Sequence, residues 1–384
     1  MRRAGAIVCA LAVALGAAAA GWAAFSSVTT NPSTFSAAPD LSNPTVTASV
    51  IARPGGANPG KIRQGGQYYV YANATDAGNP ASGISSVTAN LTSFDTGTGS
   101  VALTATGGPW TIGATSYTYR SAVLTANTPL TTGNSYAYTV TANDNASHSS
   151  GATSFSVTIE TYSEVIQATT GLVSYWRLGE AAGTTAADSK GSNTGTYTNT
   201  PILGQNGALA GDNNDSVRFT AANSQYVDIP AAATLDLTTG MTLEAWIRTS
   251  TLGSNATIIA KSSAGGGSGY RLQRNGTNNT ASFVTAGTTG TTLNSATSIN
   301  DGAWHQIVVT YNGGNTKRIY IDGQLDASVT NLTGTLNTTA NALRIAAQQA
   351  GNYWDGWIDE VAVYNTALAG ATVLDHYNAG IGNG

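Results

Sequence analysis

Charge is scarce in this chain. Only 9% of its 384 residues are Asp, Glu, Lys or Arg, and the balance leaves a net charge of −4. That composition offers no basic footprint to follow a phosphate backbone, so nucleic acid is excluded as the expected partner. Low net charge with 41% apolar residues also excludes intrinsic disorder. The single cysteine, Cys9, lies in the N-terminal apolar segment, so the rest of the chain holds neither a disulfide nor a thiolate metal site. His148, His305 and His376 are isolated in sequence, with no evident Ser or Cys partner for nucleophilic catalysis. No second long apolar run follows the first 25 residues, so membrane contact is expected only through that segment, if it stays uncleaved.

What is abundant points to strands. Thr and Tyr suit a pleated, half-buried surface, while Gly and Asn supply turns, so the expectation is an all-β protein. The chain opens MRRAGAIVCALAVALGAAAAGWAAF, in which Arg2 and Arg3 precede an uncharged Ala-rich stretch ending in small residues, the anatomy of an export signal over residues 1–25. The region 21–41, with Trp22, Phe25 and Phe35 set in a Ser/Thr-rich stretch, resembles the signal region of proteins processed by the SipW-type signal peptidase. The resemblance implies a secreted or cell-surface protein of a bacterium, with residues 26–42 as a spacer.

Residues 43–160 alternate in short runs, among them TVTASVIA, QYYVYANAT, SYTYRSAVLTA and SYAYTVTAND, seven candidate strands separated by Gly, Asn and Pro. This predicts an immunoglobulin-like sandwich. Asp76 and Asp144 fall in its end loops, where an ordinary turn role competes with calcium binding. Residues 161–170 read as a short polar linker. From 171 to 384 the alternation resumes. Asp322-Gly323 marks a type I′ hairpin, Gly313 and Gly314 mark another, GGGSGY (265–270) is a hairpin loop, and the tail after Asn365 reads as one short terminal helix.

In order along the chain stand YWRLGE (175–180), ADSKGSNTGTY (187–197), SVRFTAANSQYVDIP (216–230), LDLTTGMTLEAWIRTS (235–250), DGAWHQIVVTYNG (301–313), RIYIDGQ (318–324) and GWIDEVAVYNTALAG (356–370). This set, spanning about 165–380, resembles the laminin-G-like (concanavalin A-like) jelly-roll domains of secreted bacterial proteins. The resemblance implies two antiparallel sheets face to face and a role in binding or adhesion, with a glycan or an extracellular-matrix or cell-surface component as partner. Trp246 and Trp304 are expected in the core, and Trp354 holds a position usually taken by a core aromatic in that family.

The last motif sets Asp359 and Glu360 side by side in an apolar run. Successive side chains of a regular strand point to opposite faces, so the two are not expected to act on one bond. No Glu-x-Asp-x-x-Glu triplet occurs, and the expectation is a non-catalytic protein. In the resembled family the loop matching 187–197 and the Asp of the last strand lie close and can share calcium. Carried over, this implies Asp188, Asn193 and Asp359 as ligands, with Glu180 a weaker candidate; turn capping by Asp188 and Asn193 is the alternative. Glu360 is expected to face the other way and pair with an Arg or a backbone donor. Trp357, out of the inward phase, and Tyr353 are candidate ligand-binding aromatics, with edge packing as the alternative. A structural surface or fibre subunit and, more remotely, a polysaccharide hydrolase are the other readings.

Overall fold

The computed structural model describes residues 40–382 except residues 57, 127–129, 254 and 350. The export segment and nearly all of the spacer, with Trp22, Phe25 and Phe35, lie outside the described residues. Among the described residues no helix is long and apolar enough to cross a membrane.

Strands dominate, as the alternation predicts. In the first half, Thr45–Ala52, Gln67–Thr75 and Ser135–Asp144 are each one strand over the expected run. They belong to a nine-stranded sheet folded around one core, in which Val46 and Ile51 from the first strand meet Val157 and Ile159 from the Thr153–Ile159 strand. This is consistent with a sandwich. The run SYTYRSAVLTA differs from expectation: it is three short pieces, Thr115–Tyr117, Tyr119–Ser121 and Leu124–Thr125. The first of these pairs with Trp110–Ile112 in a separate two-stranded sheet. Together they bring Ile112 and Tyr117 onto Tyr71, which points away from the main core.

The second half is two eight-stranded sheets enclosing the larger core. One runs Ile202–Asn206, Asp215–Phe219, Gly356–Tyr364, Met241–Arg248, Trp304–Tyr311, Lys317–Ile321, Gln324–Val329, with Leu172–Trp176 also on the central Gly356–Tyr364 strand. In Met241–Arg248 the period of two is explicit. Leu243, Ala245 and Ile247 face the core between the sheets, whereas Trp246 lies in a second apolar cluster on the outer face. Trp246 is buried as expected, but on the other side of the sheet; Trp304 packs half-buried beside it, and Trp354 takes its place in the main core. Asp322 (φ 51°) and Gly323 (φ 75°) have the positive dihedrals a type I′ turn needs.

Two helices cover that outer face. The terminal one, Gly370–Gly380, is the expected tail helix. Its Gly380 lies so close to the Trp246 indole that a Cβ would come within 2.3 Å of the ring, so the site admits only glycine without displacement. The other helix, Tyr162–Ala168, corrects the reading of 161–170 as a polar linker. Thr161 and Glu164 form a capping box, and Tyr162, Val165 and Ile166 are buried. The joint is held further by an ion pair across the two halves: Arg63, 3% exposed, reaches Glu160 of its own half at 2.8 Å and Asp375 of the terminal helix at 2.5 Å.

Candidate functional site

The Gly356–Tyr364 strand changes neighbour along one edge. Its first half pairs with Asp215–Phe219 and its second half with Leu172–Trp176. At the change-over Glu360 adopts φ 51°, and the pairing with Met241–Arg248 slips between Glu244↔Ala362 and Trp246↔Asp359. This is a β-bulge, and it overturns the expectation that the two acids face opposite ways. Asn214 Nδ2 lies 3.3 Å from Asp359 Oδ1 and 3.1 Å from Glu360 Oε1, so both carboxyls occupy one side. Glu360 pairs with an arginine, as expected: Arg177 Nη2 donates to Oε1 at 2.7 Å and also to Asp212 at 3.0 Å. The Tyr175 hydroxyl donates to Glu360 as well. Asp359 accepts from the Ala208 amide at 2.8 Å.

Neither acid touches solvent. Burial, then the neighbouring Glu360 charge, pushes the Asp359 carboxyl well above its ordinary range. Burial pushes Glu360 up to about 7, with Arg177 pulling the other way. Burial thus works against the charge of both acids, and Glu360 faces the Arg177 guanidinium.

A second buried hub was invisible in the sequence. Glu244 accepts from Tyr162 and Gln306 at 2.8 Å each, from Tyr364 at 3.2 Å, and meets His376 Nδ1 at 3.0 Å. Burial pushes its carboxyl up, but the His376 charge and these bonds outweigh it and hold it below the ordinary range. His376 Nε2 in turn lies 2.9 Å from Thr169 Oγ1. An acid, an imidazole and a hydroxyl in line have the connectivity of a nucleophile relay. The Thr169 hydroxyl, however, donates to the Val165 carbonyl at 2.9 Å, which commits its proton to the helix end. Its place in this row is to accept from His376 and tie the two helices together.

Asp188 fastens its own loop. It accepts four backbone N–H groups, from Tyr175, Lys190 and Gly191 on Oδ1 and from Asn193 on Oδ2, all at 2.9–3.0 Å. Asn193 bonds Ser174 and Thr234 through its amide. Glu180 accepts from the Ala187 amide and the Tyr197 hydroxyl. The structure thus brings Asp188 and Asn193 together, whereas Asp359 shares no hydrogen-bond partner with either. A calcium ion needs six to eight converging oxygens. This donor set, split and engaged with N–H groups, does not fit one.

A different set converges in the first half. Asp40, Asp144 and His148 place one ligand atom each within 4.8 Å of one another. Asp144 accepts from His148 N at 2.8 Å and meets its Nδ1 at 3.0 Å, and Asp40 takes the Ser42 and Ser82 amides. The loops containing Asp40 and Asp144 lie about a hundred residues apart in sequence, so the grouping could not be read from spacing.

Trp357 stands on the outer face of the Gly356–Tyr364 strand, half-buried, opposite Arg218 on one neighbouring strand and Arg248 on the other. Each guanidinium lies 4.8 Å from the indole ring centre. The two cations take the ring faces expected to be open, and the edge remains. Arg218 is neutralised by Asp355 at 2.5 Å, whereas Arg248 hydrogen-bonds the Gly302 carbonyl and has no acidic partner among the described residues. Tyr353 packs elsewhere, against Tyr226 at 6.2 Å, so the two aromatics form no joint platform. Beside Trp357 lies a cavity of about 230 Å³ lined by Gln205, Asn206 and Arg248; Asn206 also borders a second, of about 320 Å³, with Asp212, Asn213, Asn214 and Asp215.

Comparison with known proteins places a family on part of this architecture. The model of the Concanavalin A-like lectin/glucanases superfamily matches residues 219–374, so the second sandwich carries a concanavalin A-like domain over that span. No curated protein sequence matches the chain. Among solved structures, the chain is similar to domain 4 of AbnA, a GH43 extracellular arabinanase from Geobacillus stearothermophilus, in complex with arabinotriose, at 19% identity and a TM-score of 0.41, covering 54% of this chain and 98% of that one. It is also similar to the binding domain of Paraclostridial Mosquitocidal Protein 1 (12%, TM-score 0.39, 54% of this chain and 52% of the other). A botulinum neurotoxin type C structure, titled for its interaction with two ganglioside molecules, aligns at 14% with a TM-score of 0.39, over 56% of this chain and 52% of the other. The chain thus spans about half the length of the two toxin chains.

Proposed function

We propose that this chain is an exported, non-catalytic binding protein whose concanavalin A-like sandwich holds a glycan of a surface or matrix partner. The observation that carries the reading is the polar trough beside Trp357. Amide side chains Gln205, Asn206 and Asn213, the carboxylate Asp215, the unneutralised Arg248 and an indole edge line two adjoining cavities. Planar amides and acids suit the paired hydroxyls of a sugar, and the indole edge supplies an apolar border. The non-catalytic reading is supported by the burial of the adjacent Asp359 and Glu360 carboxyls and of Glu244, which are all closed to solvent.

The test is a glycan and matrix-component array with the full chain, run in calcium and again in chelator, alongside Trp357→Ala and Asn206→Ala. A defined glycan class bound by the wild type and lost in both variants is the expected result. Silence from a folded chain would move the reading to a structural surface subunit. Release of reducing ends from any polysaccharide would defeat the non-catalytic part.

A further inference from the structure

The first sandwich has a site of its own. Four cations lie between residues 43 and 160, namely Arg53, Lys61, Arg63 and Arg120. The first three are ion-paired, to Glu160, Glu164 and Asp375. Arg120 has no acidic partner among the described residues, yet it is half-buried and held in a fixed place. Its strand pairs Arg120 with Tyr71, and its guanidinium carbon stands 4.4 Å from the Tyr69 ring centre and 4.5 Å from that of Trp110. Trp110 comes from the small two-stranded sheet that packs on Tyr71 beyond the main core. These rings and Arg120 border an open cavity of about 370 Å³, lined also by Pro54, Pro109 and Thr111.

Aromatic rings against a guanidinium fix its plane and leave its edge, where the N–H donors lie, for polar partners; one donor meets the Tyr71 hydroxyl and the others face a ligand. A cation so ordered and not neutralised is poised for an anion, and the planar fork matches a carboxylate in two parallel bonds. One arginine does not suit a polyphosphate or an anionic membrane, which need clusters of basic residues. The tyrosine, tryptophan and proline walls favour a ligand with apolar C–H faces, and Thr111 adds a hydroxyl for polar groups. The volume is within the range of small-ligand pockets.

We infer that the Tyr69–Arg120–Trp110 cavity binds a carboxylate-bearing sugar, a uronic acid residue of an acidic glycan. This site is independent of the trough beside Trp357, and either reading stands without the other.

The experiment is calorimetric titration of the full chain with tri-galacturonic acid, with neutral galactotriose, and with a tripeptide ending in a free carboxylate. The acidic trisaccharide should bind, and both other probes should bind at least about tenfold more weakly, as expected when a charge-assisted bidentate contact or the ring contacts are lost. Arg120→Gln should weaken the acidic trisaccharide at least about tenfold, and by more than Arg248→Gln does. Should Arg120→Gln misfold, hydrogen exchange of the wild type supplies the readout: added tri-galacturonate should protect residues 107–121. Equal binding of galactotriose, an equally tight tripeptide, or absent protection would overturn the inference. So would a loss in Arg248→Gln with none in Arg120→Gln, which would instead assign the acid to the trough of the other sandwich.

Discussion

Asp359 and Glu360 share one amide: Asn214 Nδ2 stands 3.3 Å from the first carboxyl and 3.1 Å from the second. Two adjacent residues of a regular strand cannot do this. The bulge at Glu360 makes it happen, at the point where the strand exchanges one neighbour for another. The strand that reads as buried from end to end therefore carries two acids, with one counter-charge from Arg177.

The first prediction concerns those two acids. Asp359 and Glu360 both titrate above their ordinary values in the folded chain. Above pH 4–5 the unfolded chain gives up protons that the folded one keeps, so the contribution of these two groups is greatest below that range and falls as pH rises toward and past 7. Asp359→Asn removes one of the two titrations. The wild type should lose more stability than the variant between pH 5 and pH 8. Chemical denaturation at both pH values measures it, and parallel profiles would rule out a raised titration of Asp359.

A second prediction follows from Glu244, whose carboxylate joins one residue from each helix to two strands. Glu244→Gln leaves the shape but turns one acceptor into a donor facing donors. The expected cost is about 3 kcal/mol, the scale of breaking a buried charged pair. Because Glu244 titrates below its ordinary value, its stabilisation is present above about pH 4.5 and is lost as pH falls through the folded value. The variant should therefore show a shallower acid limb and faster hydrogen exchange in residues 370–380. Unchanged exchange there would mean that the hub does not hold the terminal helix.

How much of this was legible depended on period and distance. The strands Thr45–Ala52, Gln67–Thr75 and Ser135–Asp144 announced themselves because alternation and flanking turns are local signals. The Tyr162–Ala168 helix had a local signal too, the T-x-x-E box at Thr161 and Glu164, but its seven residues are too few to show a helical period. The bulge was not legible: the period-two rule that separated Asp359 from Glu360 assumes a regular strand, and the irregularity is imposed by the change of neighbour. Trp357 was correctly placed outside the inward phase, yet its covering by Arg218 and Arg248 depends on the register of three strands brought from residues over a hundred positions apart. Partners of that kind are set by tertiary structure, as is the meeting of Asp40 with Asp144 and His148.

A third prediction addresses Asp188. Its carboxylate satisfies four backbone donors, so Asp188→Ala strands two part-buried N–H groups, those of Tyr175 and Asn193, and returns two exposed ones to water. A loss of about 2–3 kcal/mol is expected. It should be the same in calcium and in chelator, since the residue acts as a loop fastener. A melting temperature that rises with calcium in the wild type and not in the variant would restore the metal role.

The fourth concerns the joint between the two halves. Arg63 is almost fully buried between Glu160, just after the Thr153–Ile159 strand, and Asp375, on the terminal helix. The Arg53 side chain touches the same two acids at 3.3 and 3.0 Å, and Asn58 also donates to Glu160. Arg63 pushes against the effect of burial on Asp375 and, with Arg53, holds that carboxyl below its ordinary range. Arg63→Met keeps the apolar stem and deletes the charge, leaving Glu160 with Arg53 as its remaining counter-charge. Removing one partner of a buried pair costs about 3–5 kcal/mol, more than the exposed pairs elsewhere contribute. Because the bonds lost to Asp375 cross from the first sandwich to the terminal helix of the second, their loss should appear as uncoupling. Calorimetry of the wild type should show one unfolding transition, and Arg63→Met two, with the lower one reporting the first sandwich. The double variant Arg63→Met, Asp375→Asn should cost less than the sum of the single changes, since each removes the other's partner. A single unshifted transition in Arg63→Met would show that apolar contacts alone join the halves.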